Sequence, residues 1–110
     1  MAVEREHQVL ERPSGTGEVF VDDEAPIARV VYRLTVVEER LICDGRQVGA
    51  ICECSGTIKV IEGDAQLYAK EPPLKLCLED RRELDFTIVE AATSGQYDIY
   101  APGKLWSPRA

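Results

Sequence analysis

Apolar side chains recur at every second residue along most of the chain between Val30 and Tyr100, and turn residues interrupt the alternation about every ten positions. A period of two is the spacing at which side chains along a β-strand point to the same face of a sheet. The pattern therefore predicts an all-β fold, either a small antiparallel β-sandwich or a partly open β-barrel of about seven to nine short strands joined by hairpins. In this interpretation nearly every apolar side chain belongs to the core.

The 110 residues divide into three segments. Residues 1–27 hold the only histidine, a glycine-containing loop and an acidic cluster, so we expect a partly mobile segment with room for a hairpin that joins Val9-Leu10 to residues 19–21. Residues 28–101 carry the antiparallel β core, and residues 102–110 form a C-terminal tail. A chain of this length can bury about two-thirds of its surface, so a single domain is expected.

The dipeptide Asp44-Gly45 is the strongest turn signal, because both central residues of a type I′ turn take positive φ. Two registers fit the strands on either side of it. With a two-residue loop Leu41 faces Val48, whereas with a three-residue loop Ile42 faces Val48. The alternation is interrupted over residues 37–40, where we expect a bulge that returns the apolar face to the core.

Three later turns divide the rest of the chain into strands. Gly63-Asp64 predicts a two-residue loop that sends the chain back along the preceding strand, and Ser94-Gly95 predicts the last turn. Between them, a three-residue loop over 80–82 sets Leu78 against Leu84, since a shift of one residue would expose a whole apolar face.

Charge and hydropathy exclude several classes of partner. The net charge is −7, from 20 acidic residues against 13 Lys and Arg, and the longest basic run is the pair Arg81-Arg82. Phosphate backbones are bound through Lys and Arg, so a nucleic acid partner is not expected. Since the sequence has no signal-peptide pattern and no apolar run near the roughly 20 residues of a membrane span, we expect a cytoplasmic protein without a membrane partner.

Four cysteines are weak candidates for the ligands of a thiolate zinc site. Structural zinc sites usually start from a C-x₂₋₄-C loop, but Cys52 and Cys54 are separated by one residue, which in a flat strand holds the two side chains roughly 6 to 7 Å apart. We therefore interpret the cysteines as reduced, small apolar side chains that fill the core. The four candidates are Cys43, Cys52, Cys54 and Cys77.

No catalytic constellation is present in the sequence. His7 is the sole histidine and lies in the charged N-terminal segment, and the carboxylates fall in turns or on polar strand faces. We therefore expect neither an enzyme nor a cofactor. Tyr100 and Trp106 are the candidate partner-binding residues, because aromatic side chains are common anchors in interfaces.

Three hypotheses for function follow, and they belong to different classes. The first is a non-enzymatic module for protein–protein interaction or self-association, with a homodimer as one form. The alternative is a small-molecule carrier in which the barrel encloses a ligand. The second alternative is a protein with a thiol-based zinc site.

Overall fold

The computed structural model describes residues 3–21, 25–67, 74–93 and 95–102. Within these ranges the chain forms seven β-strands and no α-helix, which confirms the predicted all-β class. The strands are β1 (Val3–Glu11), β2 (Ser14–Val21), β3 (Ala28–Cys43), β4 (Arg46–Gly63), β5 (Leu74–Cys77), β6 (Glu83–Thr93) and β7 (Gln96–Pro102).

All seven strands belong to one antiparallel sheet in the order β1-β3-β2-β5-β6-β7-β4, and β3 also pairs with β4. That additional pairing closes a ring of six strands, from β3 through β2, β5, β6, β7 and β4. Closing the sheet on itself satisfies strand edges that an open sheet would leave unpaired. The architecture is therefore a small barrel with one strand, β1, outside the ring.

The core of the ring is filled by alternate side chains, as the period of two predicts. Along the first half of β3 every second residue is buried, from Ala28 to Val36. Tyr97 also lies inside, where its hydroxyl accepts a hydrogen bond from the Leu67 backbone N–H at 3.1 Å and donates one to the Ala65 carbonyl. The most deeply buried side chains are Tyr97, Ile58, Leu67, Leu76, Val19, Val30 and Cys54.

Two strands continue beyond the ring. β3 has 16 residues and β4 has 18, whereas β5 has four. β2 pairs with β3 at residues 28–33, and β1 pairs with the same edge of β3 at residues 36–43. β1 and β2 thus lie end to end along β3 and do not pair with each other, in contrast to the expected N-terminal hairpin.

The outer parts of these strands form what we call the arm: β1, residues 37–43 of β3 and residues 46–53 of β4. The arm accounts for the elongated shape of the molecule, which measures 51 × 35 × 23 Å. It also means that the apolar residues of the arm lie outside the barrel core. The expectation that nearly every apolar side chain is buried is therefore wrong for this part of the chain.

The Asp44-Gly45 turn forms as a two-residue loop, with φ of 53° and 76° at its two residues. Neither predicted register holds beyond it, because β4 contains an extra residue at Val48 that places Leu41 opposite Gly49. The bulge expected at 37–40 is absent, and those residues pair with β4 in regular register. The bulge lies instead on the partner strand β4, at Val48.

The two predicted hairpins that follow also differ from expectation. The chain leaves the sheet after Gly63, and the edge of β4 from residue 53 to 59 is paired with β7. The loop between β5 and β6 covers residues 79–81, closed by a 2.8 Å hydrogen bond from the Leu78 N–H to the Arg82 carbonyl. Leu76 therefore faces Leu84, two residues from the predicted register but on the predicted face.

Candidate functional site

The arm has two faces that differ in polarity. Residues opposite each other in an antiparallel pair share a face, so the pairings divide the arm into an outer face and an inner face. The inner face continues the interior of the barrel. From the tip of the arm to its base, the outer face has four rows: Val3–Cys43–Arg46, Arg5–Leu41–Gly49, His7–Glu39–Ile51 and Val9–Val37–Glu53.

Several large apolar side chains of the outer face are open to solvent. Val3 is 56% exposed, Val9 46% and Ile51 50%, and Leu41 and Val37 are half-buried between them. Scattered apolar residues are normal on a protein surface, but a contiguous patch of them marks an interaction surface. The outer face contains such a patch as a diagonal band across its three strands. Val9 and Val37 share a row, and Ile51 and Leu41 connect them diagonally toward Val3.

Two arginines and two glutamates lie on the outer face, so its charges are balanced. Arg5 and Glu39 form an ion pair at 3.4 Å in the middle of the face, with the Glu39 side chain largely covered. Arg46 lies in the row at the tip and Glu53 in the row at the base. The face thus has no net charge in a chain whose net charge is −7.

The inner face of the arm is polar. Glu4, Glu6 and Gln8 project from β1 beside Glu38 and Arg40 of β3. The Arg40 guanidinium donates a hydrogen bond of 2.7 Å to the Glu38 carboxylate. This face is typical of a solvated sheet surface, so the two sides of the arm have different roles.

Both lateral edges of the arm carry features that discourage strand addition. The edge strand β1 carries only charged and polar residues through its centre, from Glu4 to Gln8. The opposite edge, residues 46–52 of β4, is interrupted by the bulge at Val48. Charges and bulges on edge strands oppose pairing with another chain. An interaction through the outer face is therefore favoured over one through an edge.

Of the two predicted partner-binding residues, the structure describes one. Tyr100 pairs with Ser55 and Thr87 on the outside of the barrel, one row beyond Glu53 at the base of the arm. It is half-buried and continues the outer face toward the ring. Trp106 lies outside the described residues.

Sequence reasoning missed the exposed apolar residues of the arm, because it assumed a bulge at 37–40 that would return Leu41 to the core face. Without that bulge, Val37 and Leu41 lie on the face of β3 opposite the buried Val36. The structure reveals the arm through the lengths of β3 and β4. Residues 28–43 and 46–63 flank one tight turn without a break in strand, although strands in globular proteins usually have 3 to 10 residues. Strands of this length extend well beyond a small barrel.

The four candidate cysteines are free and lie in different environments. Cys43 is on the outer face of the arm, Cys52 is on the inner face opposite Glu38, and Cys77 is on the outside of β5. Cys54 is buried where the arm meets the ring. Among the described residues no group of three or more His, Cys, Asp or Glu is placed to hold a metal ion.

Burial determines the ionisation of Cys54. Loss of hydration, with a smaller effect from the Glu11 carboxylate, raises the pKa of its thiol to about 11, and the Arg82 guanidinium opposes this only partly. Arg82 itself bridges the Glu11 and Asp80 carboxylates at the base of the arm. Since thiolates are the metal-binding and nucleophilic form, Cys54 is poorly suited to either role at neutral pH.

An open groove of about 680 Å³ lies on the outside of the barrel along β2 and the loop between β5 and β6. Its walls carry charges of both signs, including Glu18, Arg29 and Glu79. The Glu79 carboxylate already accepts a 2.9 Å hydrogen bond from the Thr16 N–H. At least one of the charged groups along the groove is therefore already engaged within the chain.

Comparison with protein-family models, with curated proteins and with solved structures finds no match for this chain. In the part of the chain that the structure describes, no helix has the length and hydropathy needed to cross a membrane. The geometry of the arm is consequently the basis for the functional assignment.

Proposed function

We propose that this chain is a non-enzymatic protein-interaction module that binds its partner through the outer face of the arm. The observation that carries the proposal is the contiguous apolar surface formed by Val3, Val9 and Ile51 with Val37 and Leu41, which remains open to solvent on strands that project from the barrel. A cytoplasmic location, with free thiols, is part of the proposal.

The barrel supports the arm in this proposal. Because β3 and β4 run without a break from the closed ring into the arm, the ring fixes the direction and twist of the outer face before any partner arrives. A preformed surface avoids part of the ordering cost that a disordered binding segment would incur. Half-buried Tyr100 extends the same surface at the base of the arm.

The two other hypotheses draw less support from the described residues. The barrel interior is occupied by its own side chains, such as Ile58, Leu76 and Tyr97, which favours a structural core over a ligand cavity. The thiols of Cys43, Cys52 and Cys77 lie on different faces of the molecule. A carrier or a zinc protein would be expected to gather polar groups or sulfurs at one position.

A photo-crosslinking amino acid placed at residue 51 tests the proposal in the cells that make the protein. We expect position 51 to give discrete covalent adducts on irradiation, because the side chain projects from the binding face and is 50% exposed. Position 89 is the matched control, since Val89 is a similarly sized residue that is 67% exposed on β6, away from the arm. Equal labelling from both positions, or none from position 51, would contradict the proposed function.

A further inference from the structure

We infer that the partner of the outer face is the same face of a second copy of this chain. The two arms stack face to face about a two-fold axis that runs across the strands, between the second and third rows of the outer face. The inference rests on the proposed function and specifies its partner. It follows from the positions of the apolar, small and charged residues in the four rows.

Rotation about this axis exchanges the first row with the fourth and the second with the third, while each strand stays above its own counterpart. Val3 then lies over Val9 of the second copy, and Cys43 lies over Val37 of the second copy. Gly49, which has no side chain, lies over the exposed Ile51 of the second copy. Each of these apolar contacts occurs twice, as in any isologous interface.

The same operation pairs the charges at the ends of the arm. Arg46, in the row at the tip, lies over Glu53 of the second copy, in the row at the base, and the symmetry repeats this contact. Stacked sheets cross at about 30°, which displaces every contact of the end rows by roughly one strand spacing. Val3 and Cys43 therefore meet the valines of the second copy at an offset, and the long arginine side chain spans the same offset to reach Glu53. The central ion pair between Arg5 and Glu39 remains within each copy.

A two-fold axis parallel to the strands gives a poorer match, although the axis across the strands also places Leu41 over Glu39 and Arg5 over His7 of the second copy. The parallel axis would place Glu39 over Glu39 of the second copy, bringing like charges together in the middle of the interface. It would also place Val9 over Glu53 and bring both barrels to the same end of the complex. The axis across the strands instead sends the two barrels to opposite ends.

The size of the face suits a reversible dimer. Seven residues by three strands cover about 24 by 14 Å, or roughly 700 Å² for the two copies together. Specific interfaces of less than about 1,200 Å² belong to weak and transient complexes. The dimer should therefore dissociate on dilution.

Sedimentation velocity over about a hundredfold range of concentration tests the inference. We expect the wild-type chain to shift from one to two chain masses as concentration rises. Ile51→Lys should weaken the association by about tenfold or more, because each dimer then buries two lysines, and Val89→Lys on the barrel should leave it unchanged. A chain that remains monomeric at every concentration, or equal weakening by both variants, would overturn the inference.

A charge exchange tests the direction of the two arms. Arg46→Glu and Glu53→Arg should each weaken self-association several-fold, whereas an equimolar mixture of the two variants should associate as tightly as the wild type. Within one copy the two positions are seven residues apart on an extended strand, roughly 20 Å, so recovery in the mixture requires contact between copies. A mixture no tighter than either variant alone would contradict the antiparallel arrangement.

The outcomes separate this inference from the proposed function. If the chain is monomeric in sedimentation but residue 51 crosslinks to a different protein in cells, the second copy is the wrong partner and the proposed function stands. If residue 51 gives no adduct and the chain is monomeric, both proposals fail.

Discussion

At the scale of single residues, Cys54 shows how the packing of the arm on the barrel changes the chemistry of a side chain. It lies opposite Val36 and Ala101 where both are buried, beneath the ion pair of Glu11 and Arg82. In this position Cys54 is 1% exposed. Its thiol has a pKa of about 11 and is therefore protonated at neutral pH. It therefore acts as a small apolar side chain.

This environment predicts a pH dependence of stability. The folded pKa of the Cys54 thiol is raised above the ordinary value of 9.0, so its contribution is fully present below pH 9 and is lost as pH rises through the folded pKa. Two pKa units correspond to about 3 kcal/mol in the free energy of unfolding. Denaturant titrations between pH 8 and 11 should show this loss.

The control compares how steeply the free energy of unfolding falls with pH in the wild type and in two variants. Cys54→Ala should be less stable than the wild type at pH 8 but should lose less stability toward pH 11. Cys77→Ala should change the slope less, because Cys77 is only half-buried although burial raises its pKa too. An unchanged slope in Cys54→Ala would contradict the account.

At the residue scale, alternation predicts which side of a strand a side chain takes, but not what covers that side. The period of two places Val30 and Leu34 on one face of β3, and both are buried. Ile51 lies on the face of β4 opposite the buried Cys54 and Val9 shares that outer face, and both are exposed because no described residue packs over it. Burial depends on the tertiary position of the strand, which the local pattern does not contain.

At the scale of strands, Gly56 determines whether β3 and β4 can pair through the ring. A Cβ at this position would lie 2.0 Å from the Arg33 carbonyl oxygen and 2.8 Å from the Leu34 Cα, and the residue has φ of 155°. Both contacts are with backbone atoms of the neighbouring strand, which cannot move without breaking the pairing. β4 continues through Ser55-Gly56, although glycine inside a strand often marks a bulge or bend.

We expect Gly56→Ala to reduce the free energy of unfolding by about 3 kcal/mol or more, since the added methyl group requires the two strands to separate. Gly49→Ala is the matched control on the same strand, because its Cβ would meet only the Leu41 Cδ1 atom at 3.6 Å. Thermal unfolding of dilute protein measures both. Similar losses in the two variants would contradict the role assigned to Gly56.

The alternation of apolar residues predicted only part of the strand pairing. A shift of two residues preserves the face, so the leucine pattern could not distinguish the observed pairing of Leu76 with Leu84 from the predicted register. The hairpin at Gly63-Asp64 failed because the edge of β4 is paired with β7, a strand more than thirty residues later in the sequence. Asp64 instead accepts a hydrogen bond from the Gln66 N–H in a turn that leaves the sheet.

At the scale of the whole molecule, the protein consists of a closed ring and an open arm that share two strands. The sequence predicted the ring's class but not the arm, because the arm depends on β1 and β2 lying end to end along β3. That arrangement is fixed by pairing across distant parts of the sequence. The 2.8 Å hydrogen bond from the Leu34 N–H to the Pro13 carbonyl lies where the two strands meet.

The division into ring and arm predicts that backbone amides exchange their hydrogens at different rates along β3. In dilute solution the amides of residues 37–43 should exchange on the order of 100-fold faster than those of residues 29–35, because the arm lacks a covering layer and can open without the ring. The two groups of amides that are compared both lie on β3. Mass spectrometry with fragmentation can resolve it, and equal protection along β3 would show that ring and arm open together.

The continuity of β3 from the ring into the arm has a consequence for how such a protein can change over generations. Substitutions at alternate positions before residue 37 disturb the packing on which folding depends, whereas those beyond it alter a surface that folding does not require. The sequence of the binding surface can therefore change while the barrel is retained.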